Sequence, residues 1–246
     1  MDSTRRNFLA AATAATSLGA MALHRDDPTQ TGPTMPTTKH IALIGDSIFD
    51  NGSYVPGKPS VIEQLQQRLG EQGKAVLLAN DGDVTTDVAG QLARLPADVT
   101  HLVVSVGGND ALGHTDLLNM RIENSAELLA ALARVHSQFQ AAYANMLTAV
   151  KSRQIPAAVC TIYDSNFERP KKTLADVALS IFNDAILRCA QQAMVPAVDL
   201  RRIFTTPADY ANAIEPSEIG GDKMALAILN MVDKHDFATP YTTLYS

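Results

Sequence analysis

Residues 40–47 read HIALIGDS, a short apolar run that ends at Gly45 and is followed at once by polar residues. Four more short apolar runs recur along the chain, at residues 75–79, 102–106, 157–162 and 195–200. Most of them are apolar throughout instead of alternating with polar residues, as is typical of strands buried on both faces of a parallel sheet. The sequence therefore predicts five buried strands.

Helical patterns fill the intervals between these runs. Ser60 precedes apolar residues at helical spacing, and Ser125 precedes a longer apolar stripe that extends to Val150. Each serine is a suitable residue to cap a helix N-terminus. Residues 174–193 and 222–235 have similar patterns. Five strands that alternate with helices predict an α/β protein, a three-layer α/β/α sandwich with a five-stranded parallel sheet.

The composition is that of an ordinary globular protein and excludes several classes of function. The 246 residues are 46% hydrophobic and 19% charged, which rules out a disordered or collagen-like chain. The formal net charge of −6 argues against a nucleic-acid partner, and the absence of Trp argues against an aromatic stacking platform. Cys160 and Cys189 could pair after export, but both lie in apolar stretches, where buried free thiols are equally expected.

The first 22 residues have the features of an export signal. Arg5 and Arg6 precede Asn-Phe-Leu and a mildly apolar run, and residues 20–22 have the small-x-small form of a cleavage site. The segment resembles a twin-arginine signal peptide, which implies recognition by the export machinery through the two arginines and a periplasmic or secreted protein. Hydroxyl residues interrupt the run, so it is too weak for a stable membrane span. An amphipathic N-terminal helix is the alternative.

A polar linker follows this segment. Residues 23–38 contain three prolines among polar residues and show no periodicity. We therefore predict a signal peptide over residues 1–22, a linker over 23–38 and one folded domain over 39–246.

Polar motifs follow three of the predicted strands. Gly45-Asp46-Ser47 follows the first, residues 80–87 (NDGDVTTD) follow the second, and residues 107–110 (GGND) follow the third. Because ligands bind at the carboxyl ends of the strands in such a sheet, these motifs should line one site. A serine hydroxyl there lies near free backbone N–H groups, and an asparagine amide can donate to a developing oxyanion. Taken singly, each motif is equally well explained as a turn.

Together and in this order, the motifs resemble those of the GDSL, or SGNH, family of esterases and lipases, over nearly all of the predicted domain. The resemblance implies a flavodoxin-like fold, ester hydrolysis without a cofactor, and Ser47 as the nucleophile. It also implies an oxyanion hole made by the Ser47 backbone N–H, a second-motif backbone N–H and the Asn109 side chain, with Gly108 allowing close approach of the ligand. The family's second-motif glycine is Thr85 here, and Gly82 is the alternative donor.

The last family motif is changed in this chain. The family carries Asp-x-x-His-Pro before a helix, and Asn212 and Glu215 stand at the Asp and His positions, before Pro216. A serine nucleophile needs a base, and a free glutamate, with a pKa of about 4.3, is weaker than imidazole at about 6.5. Burial of Glu215 would recover part of the difference. His114, in the loop after the third strand, is either a substitute base or a solvated loop residue.

The remaining carboxylates of the predicted cleft give no clear metal signature. Asp46 and Asp110 border the cleft and could help to hold a hard cation, although solvated loop carboxylates are the commoner explanation. No paired Cys or His-x-x-x-His pattern indicates zinc, so neither a metal nor a cofactor is predicted. The sequence predicts an exported serine hydrolase that cleaves small acyl esters, such as acetylated glycans or short-chain lipid esters, through an acyl-enzyme. A non-catalytic protein that binds a ligand or glycan and has lost the base is the alternative.

Overall fold

Six parallel strands form the central sheet of the computed structural model, which describes residues 38–246. In chain order they are β1 (Lys39–Gly45), β2 (Gly73–Leu77), β3 (His101–Ser105), β4 (Ala157–Cys160), β5 (Ala197–Val198) and β6 (Leu244–Tyr245). Across the sheet the order is β2-β1-β3-β4-β5-β6. The predicted signal peptide, with Arg5 and Arg6, and nearly all of the predicted linker lie outside the described residues.

The connections between strands contain helices of very different length. They are α1 (Val61–Leu69), α2 (Val88–Leu92), α3 (Gly108–Leu112), α4 (Ser125–Lys151), α5 (Lys171–Ala193) and α6 (Glu218–Lys234). Short 3-10 turns lie at Gly52–Tyr54, Gly70–Gln72, Thr85–Asp87, Thr115–Asn119, Leu200–Arg202 and Pro207–Asp209. None of the helices within residues 38–246 has the length and apolar character needed to cross a bilayer.

Residues of each strand alternate between two apolar cores, one on each face of the sheet. In β1, Ala42 and Ile44 pack with α2, α4 and α5, whereas Ile41 and Leu43 pack with α1 and α6. Every one of these four side chains is fully buried, as their apolar character predicts. The α/β/α sandwich predicted from the sequence is therefore confirmed.

The predicted count of five strands is wrong by one. The extra strand, β6, pairs with β5 at the edge of the sheet and is only two residues long, too short for any periodicity to indicate it. The run at 195–200 yields only two strand residues because Pro196 has no N–H to donate and Leu200 begins a 3-10 turn.

Helix boundaries follow the capping residues. Ser60 precedes α1 as predicted, and the Glu63 carboxylate accepts hydrogen bonds from the Ser60 N–H and hydroxyl, at 2.8 and 2.7 Å. The cap of α4 is Asn124 and not Ser125, because the Asn124 side-chain oxygen accepts from the Glu127 N–H at 3.2 Å. Helices α5 and α6 begin a few residues earlier than the apolar patterns indicate, and the short α2 and α3 were not predicted.

The two cysteines are free and buried on opposite faces of the sheet. Cys160 ends β4 and lies in the core beside α1 and α6, whereas Cys189 of α5 lies in the other core. Burial raises the pKa of both thiols above its ordinary value. Of the two alternatives left by the sequence, the structure supports the buried free thiols.

The carboxyl end of β1 is fixed by a close contact with β3. Gly45 pairs with Ser105 and has a φ of +135°, and a Cβ at this position would lie 1.7 Å from the Ser105 carbonyl oxygen. Gln91 of α2 holds the same peptide from the side, since its amide oxygen accepts from the Gly45 N–H at 2.8 Å and its amide nitrogen donates to the Gly45 carbonyl at 2.7 Å. Only glycine fits here, and the next two residues are thereby set at the sheet edge.

We expect Gly45→Ala to lower the free energy of unfolding by about 3 kcal/mol or more, because the new methyl group must push β1 and β3 apart at an unfavourable φ. Gly90→Ala is the matched control: a Cβ at Gly90 of α2 meets nothing within 4 Å. That variant should gain about 0.5–1 kcal/mol from helix propensity. Urea unfolding measures both, and a Gly45→Ala variant as stable as the wild type would contradict the contact.

Candidate active site

Ser47 lies in the tight turn that follows β1, with its hydroxyl directed at a carboxylate. The Phe49 and Asp50 N–H groups both donate to the Asp46 carbonyl at 3.1 Å, which closes the turn. The Ser47 hydroxyl donates to Glu215 Oε1 at 3.2 Å. Among residues 38–246 no acceptor takes the Ser47 backbone N–H, which leaves it available to a bound group.

Glu215 lies in the loop before α6, and its backbone is held from three directions. The Asn212 side-chain oxygen accepts from the Glu215 N–H at 3.0 Å, and the Tyr163 hydroxyl donates to the Ile214 carbonyl at 2.6 Å. On the other side, the Asn51 amide donates to the Pro216 carbonyl at 3.1 Å. These bonds fix the carboxylate relative to Ser47.

The environment of Glu215 changes its acidity. The residue is 6% exposed, and this burial raises its pKa above the ordinary value, while the hydrogen bond from Ser47 lowers it and the charge of Asp81 raises it further. Its Oε2 is buried and has no hydrogen-bond partner within residues 38–246. A carboxylate with a raised pKa is a stronger base than one in water.

Asn109 lies on the same cavity as Ser47. It is the second residue of α3, and its side-chain nitrogen donates to the Asp83 carbonyl at 3.0 Å. An amide nitrogen carries two protons, so one remains for a ligand. Gly108, one residue earlier, also lines the cavity. The structure therefore brings together Ser47, Gly108, Asn109 and Glu215.

The second motif contributes differently from the family pattern. The Thr85 N–H and hydroxyl both donate to Asp110 Oδ2, each at 3.0 Å, so this N–H is already satisfied by a carboxylate. Gly82 is exposed with a φ of +85°. Within the described part of the chain, neither Gly82 nor Thr85 lines the cavity around Ser47. The donors that remain for an oxyanion are the Ser47 N–H and the Asn109 amide.

Asp46 is buried beside Ser47 in the chain. Its Oδ1 accepts from the Ile48 N–H at 3.1 Å. Burial raises the pKa of Asp46 to about 8, and the negative charges of Glu215 and Asp110 act in the same direction. Asp46 therefore keeps its proton at neutral pH.

His114 lies on the wall of the cavity, where its ring is 6.3 Å from that of Phe182. Among the hydrogen bonds of residues 38–246, none joins His114 to Ser47, whose carboxylate partner is Glu215. His40 and His101 belong to the starts of β1 and β3, at the opposite edge of the sheet.

The cavity has a volume of about 410 Å³, and Ser47, Asn109 and Glu215 are among the residues that line it. Its walls come from α3, the Thr115–Asn119 turn, α4 and α5, and most of the lining side chains are apolar. No three His, Cys, Asp or Glu side chains of the described residues are close enough together to hold a metal ion.

Three positioning residues were not identified as such from the sequence. Gln91 and Tyr163 carry no motif, so nothing in the sequence distinguishes them from ordinary core residues. Asn51 lies at the end of the first motif, and this position could have identified it. Its amide nitrogen donates to the Pro216 carbonyl, and its amide oxygen accepts from the Val61 N–H of α1 at 2.9 Å.

We expect the stability of the protein to fall as pH rises from about 4 towards 8 through Asp46. The folded chain keeps this proton up to about pH 8, whereas the unfolded chain releases it near its ordinary pKa of 3.8, so deprotonation favours the unfolded state. The slope for one such group is about 1.4 kcal/mol per pH unit. Asp46→Asn should remove it, and should therefore gain about 2–3 kcal/mol on the wild type between about pH 5 and pH 7 in urea unfolding.

Asp116→Asn, which removes an exposed carboxylate, is the control and should keep the wild-type dependence of stability on pH. Parallel stability–pH curves for the wild type and Asp46→Asn would show that the Asp46 proton is not coupled to folding.

Comparison with known proteins agrees with this geometry. The model of the GDSL-like lipase/acylhydrolase family matches residues 43–220. A search of curated proteins gave no match. Among solved structures, the chain is similar to the extracellular lipase of Streptomyces rimosus, with 17% identity and a TM-score of 0.58 over 78% of this chain and 98% of the lipase.

Two further structures show the same fold. Phospholipase A1 of Streptomyces albidoflavus has 15% identity and a TM-score of 0.58, over 78% of this chain and 98% of that one. An acetyl xylan esterase of Geobacillus stearothermophilus has 19% identity and a TM-score of 0.56, over 80% and 97%. At such identities the likeness establishes the fold and not the substrate. The family match spans Ser47, Asn109 and Glu215, and the chain belongs to the GDSL-like lipase/acylhydrolase family.

Proposed function

We propose that the protein is an exported serine ester hydrolase in which Glu215 is the general base for Ser47. The observation that supports this most directly is the 3.2 Å hydrogen bond from the Ser47 hydroxyl to Glu215, both of which line the apolar cavity. This is the distance at which a base can take a proton from its nucleophile.

The reaction runs in two halves. Ser47 Oγ attacks the ester carbonyl carbon while its proton moves to Glu215, and the oxyanion accepts hydrogen bonds from the Ser47 N–H and the Asn109 amide. Collapse of this intermediate breaks the bond to the alcohol, which leaves with the proton from Glu215. Water then attacks the acyl-Ser47 ester with Glu215 again as base, and the acid is released.

The weaker basicity of a carboxylate sets the expected rate. An ordinary glutamate lies about two pKa units below imidazole, which corresponds to about 3 kcal/mol of proton-transfer driving force. Burial raises the pKa of Glu215 and recovers part of this difference. The proposed enzyme is therefore a slower hydrolase than one with a histidine base.

The substrate proposed is an acyl ester. The sequence suggested acetylated glycans or short-chain lipid esters, and the apolar cavity lining favours the lipid ester, because a glycan would lose hydrogen bonds to water there.

A second candidate is a protein that binds its ligand without catalysis. It is favoured by one observation: the Thr85 N–H donates to Asp110 and leaves two oxyanion donors instead of three. Removal of one such donor costs about 100-fold or more in rate in serine hydrolases.

Labelling with a fluorophosphonate distinguishes the two candidates. We expect the wild type to be modified at Ser47 and Ser47→Ala to stay unmodified. Glu215→Gln keeps the shape of the side chain and removes the base, so it should react at least about 100-fold more slowly than the wild type. Glu218→Gln is the matched control, because it makes the same change at a carboxylate that pairs with Lys58. It should label at the wild-type rate.

Ester hydrolysis against pH adds a second readout. The wild-type rate should rise with pH through the raised pKa of Glu215, above the ordinary value of 4.5, and this rise should be absent in Glu215→Gln. Equal labelling of the wild type and Glu215→Gln would exclude Glu215 as the base. A wild type that neither labels nor hydrolyses any ester would leave the binding protein as the answer.

Export through the twin-arginine pathway is the remaining part of the proposal. In a bacterium with this pathway, we expect Arg5→Lys combined with Arg6→Lys to retain the protein in the cytoplasm, because the pair is the recognition element. The exported wild type should begin at Leu23, the residue after the expected cleavage site. Cell fractionation and N-terminal sequencing measure both, and unchanged export of the double variant would refute this route.

A further inference from the structure

We infer that the cavity beyond Ser47 is a groove for an aliphatic acyl chain, so that esters of acids such as octanoate are better substrates than acetyl esters. This inference rests on the proposed function and adds the substrate class of the same site. It follows from the lengths of two helices, the apolar side chains on their first turns and a polar cluster near Glu215.

The two helices are longer than the sheet beneath them. Helices α4 and α5 have 27 and 23 residues, or about 40 and 35 Å, whereas β3 and β4 have 5 and 4 residues, or about 17 and 13 Å. Each helix starts after the carboxyl end of a strand. Since the buried contacts begin at Ala131 in α4 and at Phe182 in α5, the first turns of both helices extend beyond the sheet.

These free turns carry apolar side chains on the cavity side. Leu128 and Leu132 of α4 and Leu174, Ala178 and Ile181 of α5 all line the cavity. Leu174 is 54% exposed, which is unusual for a large apolar side chain. Apolar side chains gathered around an open cavity are typical of a site for an apolar ligand.

The groove is continuous with the reacting groups. Ser47 and Glu215 line the same cavity, and Leu117 and Leu118 of the Thr115–Asn119 turn provide a further wall. Its volume of about 410 Å³ is within the range of small-molecule sites, about 300–1,000 Å³. An acetyl group would leave most of this volume empty, whereas a longer chain would fill it.

A polar cluster that does not line the groove lies near Glu215, and we assign the alcohol to this cluster and the acyl chain to the groove. Tyr54 donates to Asp81 Oδ2 at 2.8 Å, and the Asp81 N–H donates to Asp50 Oδ2 at 3.0 Å. The charge of Asp81 acts on Glu215, so this polar cluster borders the base that must hand its proton to the leaving alcohol.

The test is a series of 4-nitrophenyl esters from acetate through butyrate and octanoate to dodecanoate. We expect kcat/KM to rise about threefold to fourfold for each methylene that enters the groove, until the groove is full. Ala178→Phe, which fills the groove, should lower kcat/KM for octanoate at least about tenfold more than it lowers kcat/KM for acetate. Ala141→Phe, the same change on the exposed face of α4, should behave as the wild type.

Binding of the fluorescent fatty acid cis-parinarate gives a readout that does not need catalysis. The wild type and Ala141→Phe should bind it, and Ala178→Phe should bind it at least about tenfold more weakly. If no ester is cleaved but this pattern holds, the hydrolase proposal fails and the groove stands.

Three results would overturn the groove. One is hydrolysis that is fastest with acetate and unaffected by Ala178→Phe, which would leave the hydrolase intact. Another is a preference for octyl acetate over ethyl acetate without any preference among acyl chains, which would place the alcohol in the cavity. A wild type that neither binds cis-parinarate nor prefers longer acyl chains would equally exclude it.

Discussion

The parallel pairing of β1 with β3, closed by the contact between Gly45 and the Ser105 carbonyl, places Ser47 and Asn109 at one edge of the sheet. Two polar loops leave these neighbouring strands at the same edge, so Ser47 and Asn109 reach one cavity although they are far apart in the chain. Gln91 of α2 also contacts the loop after β2, because its amide nitrogen donates to Asp83 Oδ2 at 2.7 Å. The backbone carbonyl of the same Asp83 accepts from the Asn109 amide, so Gln91 and Asn109 are joined through this residue. The relative position of Ser47 and Asn109 thus depends first on the sheet and then on the two loops that hold their side chains.

Two buried carboxyl groups flank Ser47, and their electrostatics explain why one of them can act as a base. If Asp46 and Glu215 were both ionised, their charges would repel each other in a poorly solvated site. Asp46 is buried more deeply, and its raised pKa keeps it neutral at neutral pH, so it adds no negative charge beside the serine hydroxyl. The charge of Glu215 is one of the causes that raise the pKa of Asp46, so the proton on Asp46 removes this repulsion.

The sequence predicted those parts of the structure that depend on local pattern. Continuous apolar runs indicated the first strands and the sandwich, and three ordered motifs located Ser47 and Asn109. Features that depend on distant contacts were not predictable: the capture of the Thr85 N–H by Asp110, the support of the Glu215 loop by Tyr163, and the pairing of a two-residue β6. The groove was not predicted for a related reason. Apolar residues at helical spacing give the same sequence pattern whether they pack on a sheet or line a cavity.

The apolar groove and the carboxylate base depend on each other in the proposed mechanism. A glutamate in an open, wet cleft has an ordinary pKa and takes a serine proton poorly, whereas a histidine does so in either setting. The walls that would bind an acyl chain also keep water from Glu215, and a chain lying in the groove would exclude more of it. Desolvation strengthens each remaining interaction at the site, the hydrogen bonds to the oxyanion included. In the proposed mechanism a glutamate base therefore requires a cleft that excludes water, and the apolar side chains on the first turns of α4 and α5 would supply it.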